Sequence, residues 1–323
     1  MEYRRLGDTD LEVSVLSLGT VALGMSYGIT PKDKLASGEK GGMGQPTQAE
    51  ATRLIQRAID EGINFIDTAR GYGNSEEVVG QALQGRRDRV VIATKMSGYG
   101  PGGAKLRGEA LRQHMRTSLE TSLKHLRTDQ VDLLMLHSAP PELLRETDAL
   151  EILRGFQQEG HTRYIGASTY GAVAPRLAME AGVNALQIAF NILDQRLADD
   201  ILPLAQEKGV GIVVRSVFLK GALTPRADDL PAHLSELRAR SQAIKEFAGS
   251  LTPPMSRVEA ALRFVVARPN ITSALVGVVT EQELEASLRA EAAPRLSPEA
   301  MARFEELRWD DEEMLNPGNW GIP

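Results

Sequence analysis

The chain contains no cysteine. This excludes a disulfide framework, a thiolate nucleophile and any metal site built on sulfur. Long apolar runs are also missing: no stretch approaches the roughly 18 consecutive apolar residues of a membrane-spanning helix. Positive charge is not in excess either. With 37 Lys and Arg against 43 Asp and Glu, the formal charge is -6 and the pI about 5.6, which argues against a surface for nucleic acid or another polyanion. The opening residues, Met-Glu-Tyr-Arg-Arg-Leu-Gly-Asp, offer no apolar core for a signal peptide. The expectation is a cytoplasmic protein with no membrane segment and an idle Asn270-Ile-Thr272 sequon.

A length of 323 residues is enough to bury a large core in one or two domains. Residues 2–6 and 11–15 flank Gly7-Asp8-Thr9-Asp10 and read as a hairpin, with Val13 to Gly19 as the first buried strand. Residues 24–48 have no periodicity and read either as a surface insertion or as a lid. Regular punctuation follows. Ala51, Leu54, Ile55, Ala58 and Ile59 form one helical stripe, and Glu61-Gly62 closes it, because glycine accepts the left-handed conformation at a helix end. The same helix-glycine-strand order recurs at Gly160, Gly182 and Gly209.

The apolar runs are Ile63–Ile66, Val90–Ala93, Leu133–Leu136, Tyr164–Gly166, Ala185–Ala189, Gly211–Val214 and Ser273–Val276. Each is short and shows no alternation, as expected for strands of a parallel sheet buried on both faces. Leu111, Met115, Leu119, Leu123 and Leu126 form one intervening helical stripe, and Val258, Ala261, Leu262, Val265 and Val266 another. With Val13–Gly19 there are eight strands, which predicts a (β/α)8 TIM barrel over residues 1–323 as a single domain. An open doubly wound sheet is the alternative. Residues 220–254 and the tail from Pro294, with Ala300, Phe304 and Leu307 in a further helix, stand outside the repeat. They either cover one end of the barrel or pad its surface.

Three of these runs end in proton-handling groups: Asp67, Lys95 and His137, with Tyr72 on the loop after Asp67. Taken singly, Asp67 could be a helix cap, Lys95 a solvated end and His137 a core histidine. In a barrel, however, the C-terminal strand ends share one pocket. There an ammonium beside a phenol lowers its pKa from about 10, and a carboxylate keeps that ammonium charged and oriented. A histidine across the pocket can donate to a carbonyl oxygen. Such a set delivers a proton to an oxygen gaining negative charge, but it contains no nucleophile, so hydride from a cofactor is the natural complement. Gly98-Tyr-Gly100-Pro-Gly-Gly103 matches the spacing of a dinucleotide-binding loop. Its internal proline, the absence of a helix before about residue 108 and the lack of a following acid argue against that reading.

Asp67-Thr-Ala-x-x-Tyr72-Gly-x-Ser-Glu76, with Ala-Thr-Lys95 and Leu-His137, resembles the aldo-keto reductases, and the similarity extends over essentially the whole chain from Leu16-Ser-Leu-Gly-Thr20 onward. The resemblance implies a (β/α)8 barrel that binds NADP(H) across its C-terminal mouth. Tyr72 would be the general acid, supported by Lys95 and Asp67, with His137 orienting a small-molecule carbonyl substrate.

It also implies cofactor contacts at Thr20, Ser168, Thr169, Gln187, Arg215, Ser216, Phe218, Gly221, Gly277, Glu283 and Ser287. Ser168, Thr169 and Gln187 would hold the nicotinamide amide, with Thr169 where the family usually has Asn. Arg215 stands where an aromatic commonly stacks on the nicotinamide, and the amides from Phe218 to Gly221 would take the pyrophosphate. Glu283 stands where NADP-specific relatives place a basic residue. NADP(H) is favoured, with Lys220 or Arg289 supplying charge, and NAD(H) is the alternative.

The resemblance also places Val21 where relatives often carry a bulky aromatic, and makes Met25, Tyr27, Arg70, Met96, Tyr99 and Phe190 candidate pocket walls. A non-catalytic nucleotide-sensing subunit on the same barrel, and a Schiff-base aldolase using Lys95, are the competing functional readings.

Overall fold

The computed structural model describes residues 1–29 and 44–322. Strands β1 (Tyr3–Arg5) and β2 (Glu12–Ser14) pair antiparallel as the expected hairpin. The barrel strands are β3 (Leu16–Gly19), β4 (Phe65–Asp67), β5 (Val91–Met96), β6 (Val131–Leu136), β7 (Thr162–Ser168), β8 (Ala185–Ala189), β9 (Gly211–Arg215) and β10 (Ser273–Gly277). They close in the order β10-β3-β4-β5-β6-β7-β8-β9, all parallel. This is the (β/α)8 barrel and not the open sheet.

The expected first strand, Val13–Gly19, is in fact two. The chain changes sheet at Val15, whose N–H donates to the Glu2 carbonyl while its own carbonyl accepts from Ala274. An unbroken apolar run carries no sign of such a switch. Asp67 and Lys95 lie within their strands rather than after them, and His137 directly follows β6.

Helix punctuation follows the sequence closely. The helix Gln48–Asp60 starts with a capping box between Thr47 and Glu50 and buries its whole predicted stripe. At its end Gly62 adopts φ +96°, and the amides of Gly62 and Ile63 donate to the carbonyls of Ile59 and Ala58. The same paired bonds recur at Gly160, Gly182 and Gly209, all with positive φ, so each strand is launched from the same glycine-closed helix end. The other two stripes hold in part. Leu123 is only half-buried while Ser122 goes inside, and Val258 and Val266 yield to Ala260 and Phe264.

Leu6, Leu11 and Val13 of the hairpin pack with Phe65, Val91, Ala93, Leu133, Met135, Ala185, Val213 and Leu275. These strand residues share the inward parity, so the hairpin plugs the N-terminal end of the barrel with an apolar floor. The two segments outside the repeat meet at the opposite end. The first contains the helix Ser235–Ser250 and the second the helix Pro298–Glu305. Phe247 packs edge-on against Phe304 at 4.9 Å, His233 bonds the Trp320 carbonyl, and the Trp309 amide donates to Leu193 on the loop after β8. They therefore cover the C-terminal side. The lid-or-insertion question falls largely on residues 30–43, outside the described residues.

Candidate active site

The inward parity of the strands carries the site. Two residues beyond the floor, the same inward positions turn polar: Asp67 follows Phe65 on β4, and Lys95 follows Ala93 on β5. The fully buried Lys95 ammonium donates to Asp67 Oδ2 at 2.7 Å and to the Thr68 carbonyl at 2.8 Å. The Gln187 amide, from β8 across the barrel, donates to Asp67 Oδ1 at 2.8 Å. Both carboxylate oxygens are thus occupied, and Asp67 and Lys95 are held in one orientation. Burial alone would push the Lys95 pKa down, but Asp67 and Tyr72 outweigh it and the net shift is upward. Lys95 is a persistent cation, which counts against a Schiff-base nucleophile.

Tyr72 completes the group. The Lys95 ammonium lies 4.8 Å from the centre of its ring, and the His137 ring meets it edge-on at 5.4 Å. The sequence suggested a lowered phenol pKa, and the structure gives the opposite net direction. Burial dominates and raises it, while Lys95 pulls it back down. Tyr72 therefore stays protonated at neutral pH, with a cation alongside. His137 is driven down to about 3, chiefly by burial and then by the charges of Lys95 and Arg215, so its imidazole is neutral.

The Tyr72 loop is held by backbone contact. A Cβ on Gly24 would lie 2.1 Å from the Tyr72 carbonyl oxygen, and one on Gly73, at φ +56°, would lie 2.2 Å from the Gly24 carbonyl oxygen. Only glycine allows two chains this close. Behind them the buried Glu76 accepts from Thr94 Oγ1 at 2.7 Å and faces Arg70 at 3.3 Å, tying the loop to the strand of Lys95. These supports went unread in the sequence, although the glycines flanking Tyr72 were the available signal.

The other candidate positions divide. Ser168 and Thr169 lie at the end of β7, and the buried Thr169 Oγ1 has no hydrogen-bond partner. Gly277, the last residue of β10, has open space where a side chain would stand. Arg215 lies over the Tyr170 ring at 4.0 Å and donates to the Thr169 carbonyl. Ser216 adopts φ +60° after β9. The Phe218 and Ser216 carbonyls accept the amides of Gly221 and Leu219, so part of the predicted amide cradle is consumed by its own turns.

Thr20 is buried, and its hydroxyl donates to the Asp67 carbonyl and pairs with Ser75, bracing the strand end rather than facing the mouth. The Glu283 carboxylate caps its own helix by accepting from the amides of Val279 and Thr280. The Thr-x-x-Glu pattern signalled this. The Ser287 hydroxyl donates to the Glu283 carbonyl.

Lys220 donates to the Ile322 carbonyl, and Arg289 pairs with Glu285. Arg226, not singled out in the sequence, lies beside Gly221 with no acidic partner among the described residues. Of the proposed walls, Phe190 is core, stacked on Phe264, and Met96 points outward into the helix layer. Tyr27 does reach the mouth. Its pKa is pushed up to about 12 by burial, with Tyr72, Arg215 and Tyr170 as the neighbours acting on it.

A parallel eight-stranded barrel with a polar cluster on its C-terminal strand ends defines a class, the (β/α)8-barrel proteins that carry their functional groups at that mouth. Comparison with known proteins narrows it. The model of the aldo/keto reductase family matches residues 16–308. The uncharacterized oxidoreductase YqkF of Bacillus subtilis is 29% identical over 93% of this chain and 94% of its own length. The L-galactose dehydrogenase of Arabidopsis thaliana is 28% identical over 90% of this chain and 88% of its own. Among solved structures, the holo form of the aldo-keto reductase AKR11C1 from Bacillus halodurans superposes with a TM-score of 0.75 at 26% identity, covering 97% and 99% of the two chains. The chain belongs to the aldo/keto reductase family and is an oxidoreductase of that family.

Proposed function

We propose that this protein reduces aldehyde or ketone groups, sugars among them, to alcohols with a nicotinamide dinucleotide, and that Tyr72 is the general acid. The observation that carries the reading is the convergence of Tyr72, His137 and the Asp67–Lys95 pair on one point of the mouth. When bound, the dinucleotide supplies the hydride. Everything else is done by the chain. Neutral His137 and the Tyr72 phenol present hydrogen-bond donors to a carbonyl oxygen, and Tyr72 passes its proton as charge develops there. Lys95, held cationic by Asp67, lowers the cost of the resulting phenolate. Gln187 keeps Asp67 from turning away.

The residues fit such a cofactor. The unpartnered Thr169 hydroxyl beside Ser168 is a donor and acceptor awaiting an amide, and Gly277 leaves room for a ligand against the end of β10. NADP(H) is the favoured dinucleotide in this proposal. Glu283 spends its carboxylate on the amides of Val279 and Thr280, and Arg226 lies beside Gly221 with no acidic partner among the described residues. Lys220 and Arg289, both engaged elsewhere, are set aside for that role.

A fluorescence titration with NADPH and NADH, followed by an assay on a panel of aldehydes and ketones, tests the reading. Saturable binding, tighter for NADPH, with consumption of the reduced dinucleotide on adding a carbonyl compound is the expected result. Saturable binding with no turnover on any carbonyl would point instead to a nucleotide-sensing subunit.

A further inference from the structure

The charges acting on Tyr72 and His137 do not balance, and Arg215 carries the imbalance. Lys95 is matched by Asp67 at 2.7 Å, and Arg70 by Glu76 at 3.3 Å. Arg215, at the end of β9, makes no ion pair among the described residues. Its guanidinium lies on the Tyr170 ring and donates to the Thr169 carbonyl at 3.0 Å and the Ser216 hydroxyl at 3.3 Å. Neutral groups hold it in place, and none of them cancels its charge. That charge reaches the site, because it draws both Tyr72 and His137 toward their deprotonated forms. The two charges that act on His137, Lys95 and Arg215, are both positive.

We infer that Arg215 makes this site bind the reduced, uncharged nicotinamide in preference to the oxidised, cationic one, and so biases the enzyme toward carbonyl reduction. The inference rests on the reading of the mouth as a nicotinamide-dependent reductase. Hydride transfer brings its reacting atoms within about 3–3.5 Å. The ring must therefore sit against the carbonyl carbon whose oxygen Tyr72 and His137 hold, inside the reach of Arg215. Losing the hydride and its electron pair turns a neutral dihydropyridine into a pyridinium, a new positive charge beside an uncompensated cation. The ribose and phosphate parts are the same in both forms, so their contribution cancels and the difference reports what acts on the ring.

A like charge facing the ring across a partly buried site weakens binding of the oxidised form by about tenfold. In redox terms that is about 30 mV on the bound couple. The oxidised dinucleotide then leaves easily and competes poorly with its reduced form, and alcohol oxidation is hampered by weak binding of its own cofactor.

The test is calorimetric titration of the wild-type protein with NADPH and NADP+, and with NADH and NAD+, read on whichever pair binds more tightly. The expected result is a dissociation constant about tenfold lower for the reduced form. In Arg215→Gln the ratio should fall toward one, and in Arg215→Lys, which keeps the charge, it should persist. Equal affinities in the wild type, or an undiminished preference in Arg215→Gln, would overturn the inference. If Arg215→Gln does not fold, Arg215→Met, which keeps the aliphatic stem and removes the charge, replaces it with the same two outcomes. Failure of any dinucleotide to bind would instead sink the reductase reading, so the two failures are distinct.

Discussion

The two ends of this barrel are built on the same strands by opposite means. At the floor, Phe65, Val91, Leu133 and Met135 fill the interior with the hairpin's Leu6, Leu11 and Val13. Their packing is non-directional and tolerates any apolar side chain of similar volume. Two residues on, Asp67, Lys95 and Gln187 replace that packing with a closed set of charged hydrogen bonds, in which removing one member strands the others. The backbone differs as well. Among the described residues, four of the five non-glycine positive φ angles, at Ser138, Ser216, Leu219 and Lys220, lie on loops leaving the C-terminal ends of strands, the fifth being the helix end at Arg127, and strain of this kind clusters where a surface is shaped for a ligand. Apolar packing is concentrated at one end of the barrel and hydrogen-bonded charge at the other.

Substitutions two positions apart on β4 put that division to the test. Phe65→Ala and Asp67→Asn should each cost about 3–5 kcal/mol, the first by leaving a cavity and the second by leaving the Lys95 ammonium buried without its counter-charge. Urea melts measure the cost. The assay separates the two, because folded Phe65→Ala should keep a kcat near wild type while Asp67→Asn loses turnover. A floor variant that loses turnover while folded would erase the distinction.

Smaller effects sharpen it. Gly73→Ala drives a Cβ into the Gly24 carbonyl oxygen, and a shift of the Tyr72 loop by about 1 Å should lower kcat about a hundredfold, with dinucleotide affinity kept.

His137 provides a pH signature. Its folded-state pKa, about 3, lies below the 6.5 of a free imidazole. The unfolded chain therefore binds a proton that the folded one refuses. This stability is complete above pH 6.5 and is lost as pH falls toward 3, by about 2 kcal/mol at pH 5. Denaturation at pH 7 and pH 5 should accordingly show a smaller acid loss in His137→Asn than in the wild type. An identical loss would place the acid sensitivity elsewhere.

The smallest expected change is at Glu283→Ala. Loss of its capping box should cost about 1 kcal/mol and leave dinucleotide affinity untouched. Weakened binding in a variant of unchanged fold would return Glu283 to the cofactor site.

The division also explains what could be read from the chain. The repeat of buried strands and glycine-closed helices was legible because periodicity and φ preference are local properties. The convergence of Asp67, Tyr72, Lys95 and His137 was legible because strand ends in a barrel share one pocket. What the sequence hid depends on contacts made by chance of the fold. Gln187 spends its amide on Asp67, Thr20 braces a strand end, and the sheet change at Val15 sits inside an unbroken apolar run. The direction of the Tyr72 shift is hidden for a related reason. Lys95 next to it was evident, but the extent of burial, which outweighs Lys95, is a tertiary quantity.

The proposed reduction depends on the hydroxyl of Tyr72, and Tyr72→Phe removes that one oxygen while keeping the ring that meets His137. Stopped-flow mixing of the variant, loaded with reduced dinucleotide, against a carbonyl substrate turned over by the wild type is the direct measurement. Unchanged dinucleotide affinity with the reduction rate down by about 10²–10⁴-fold is the predicted result. Reduction at the wild-type rate would contradict it.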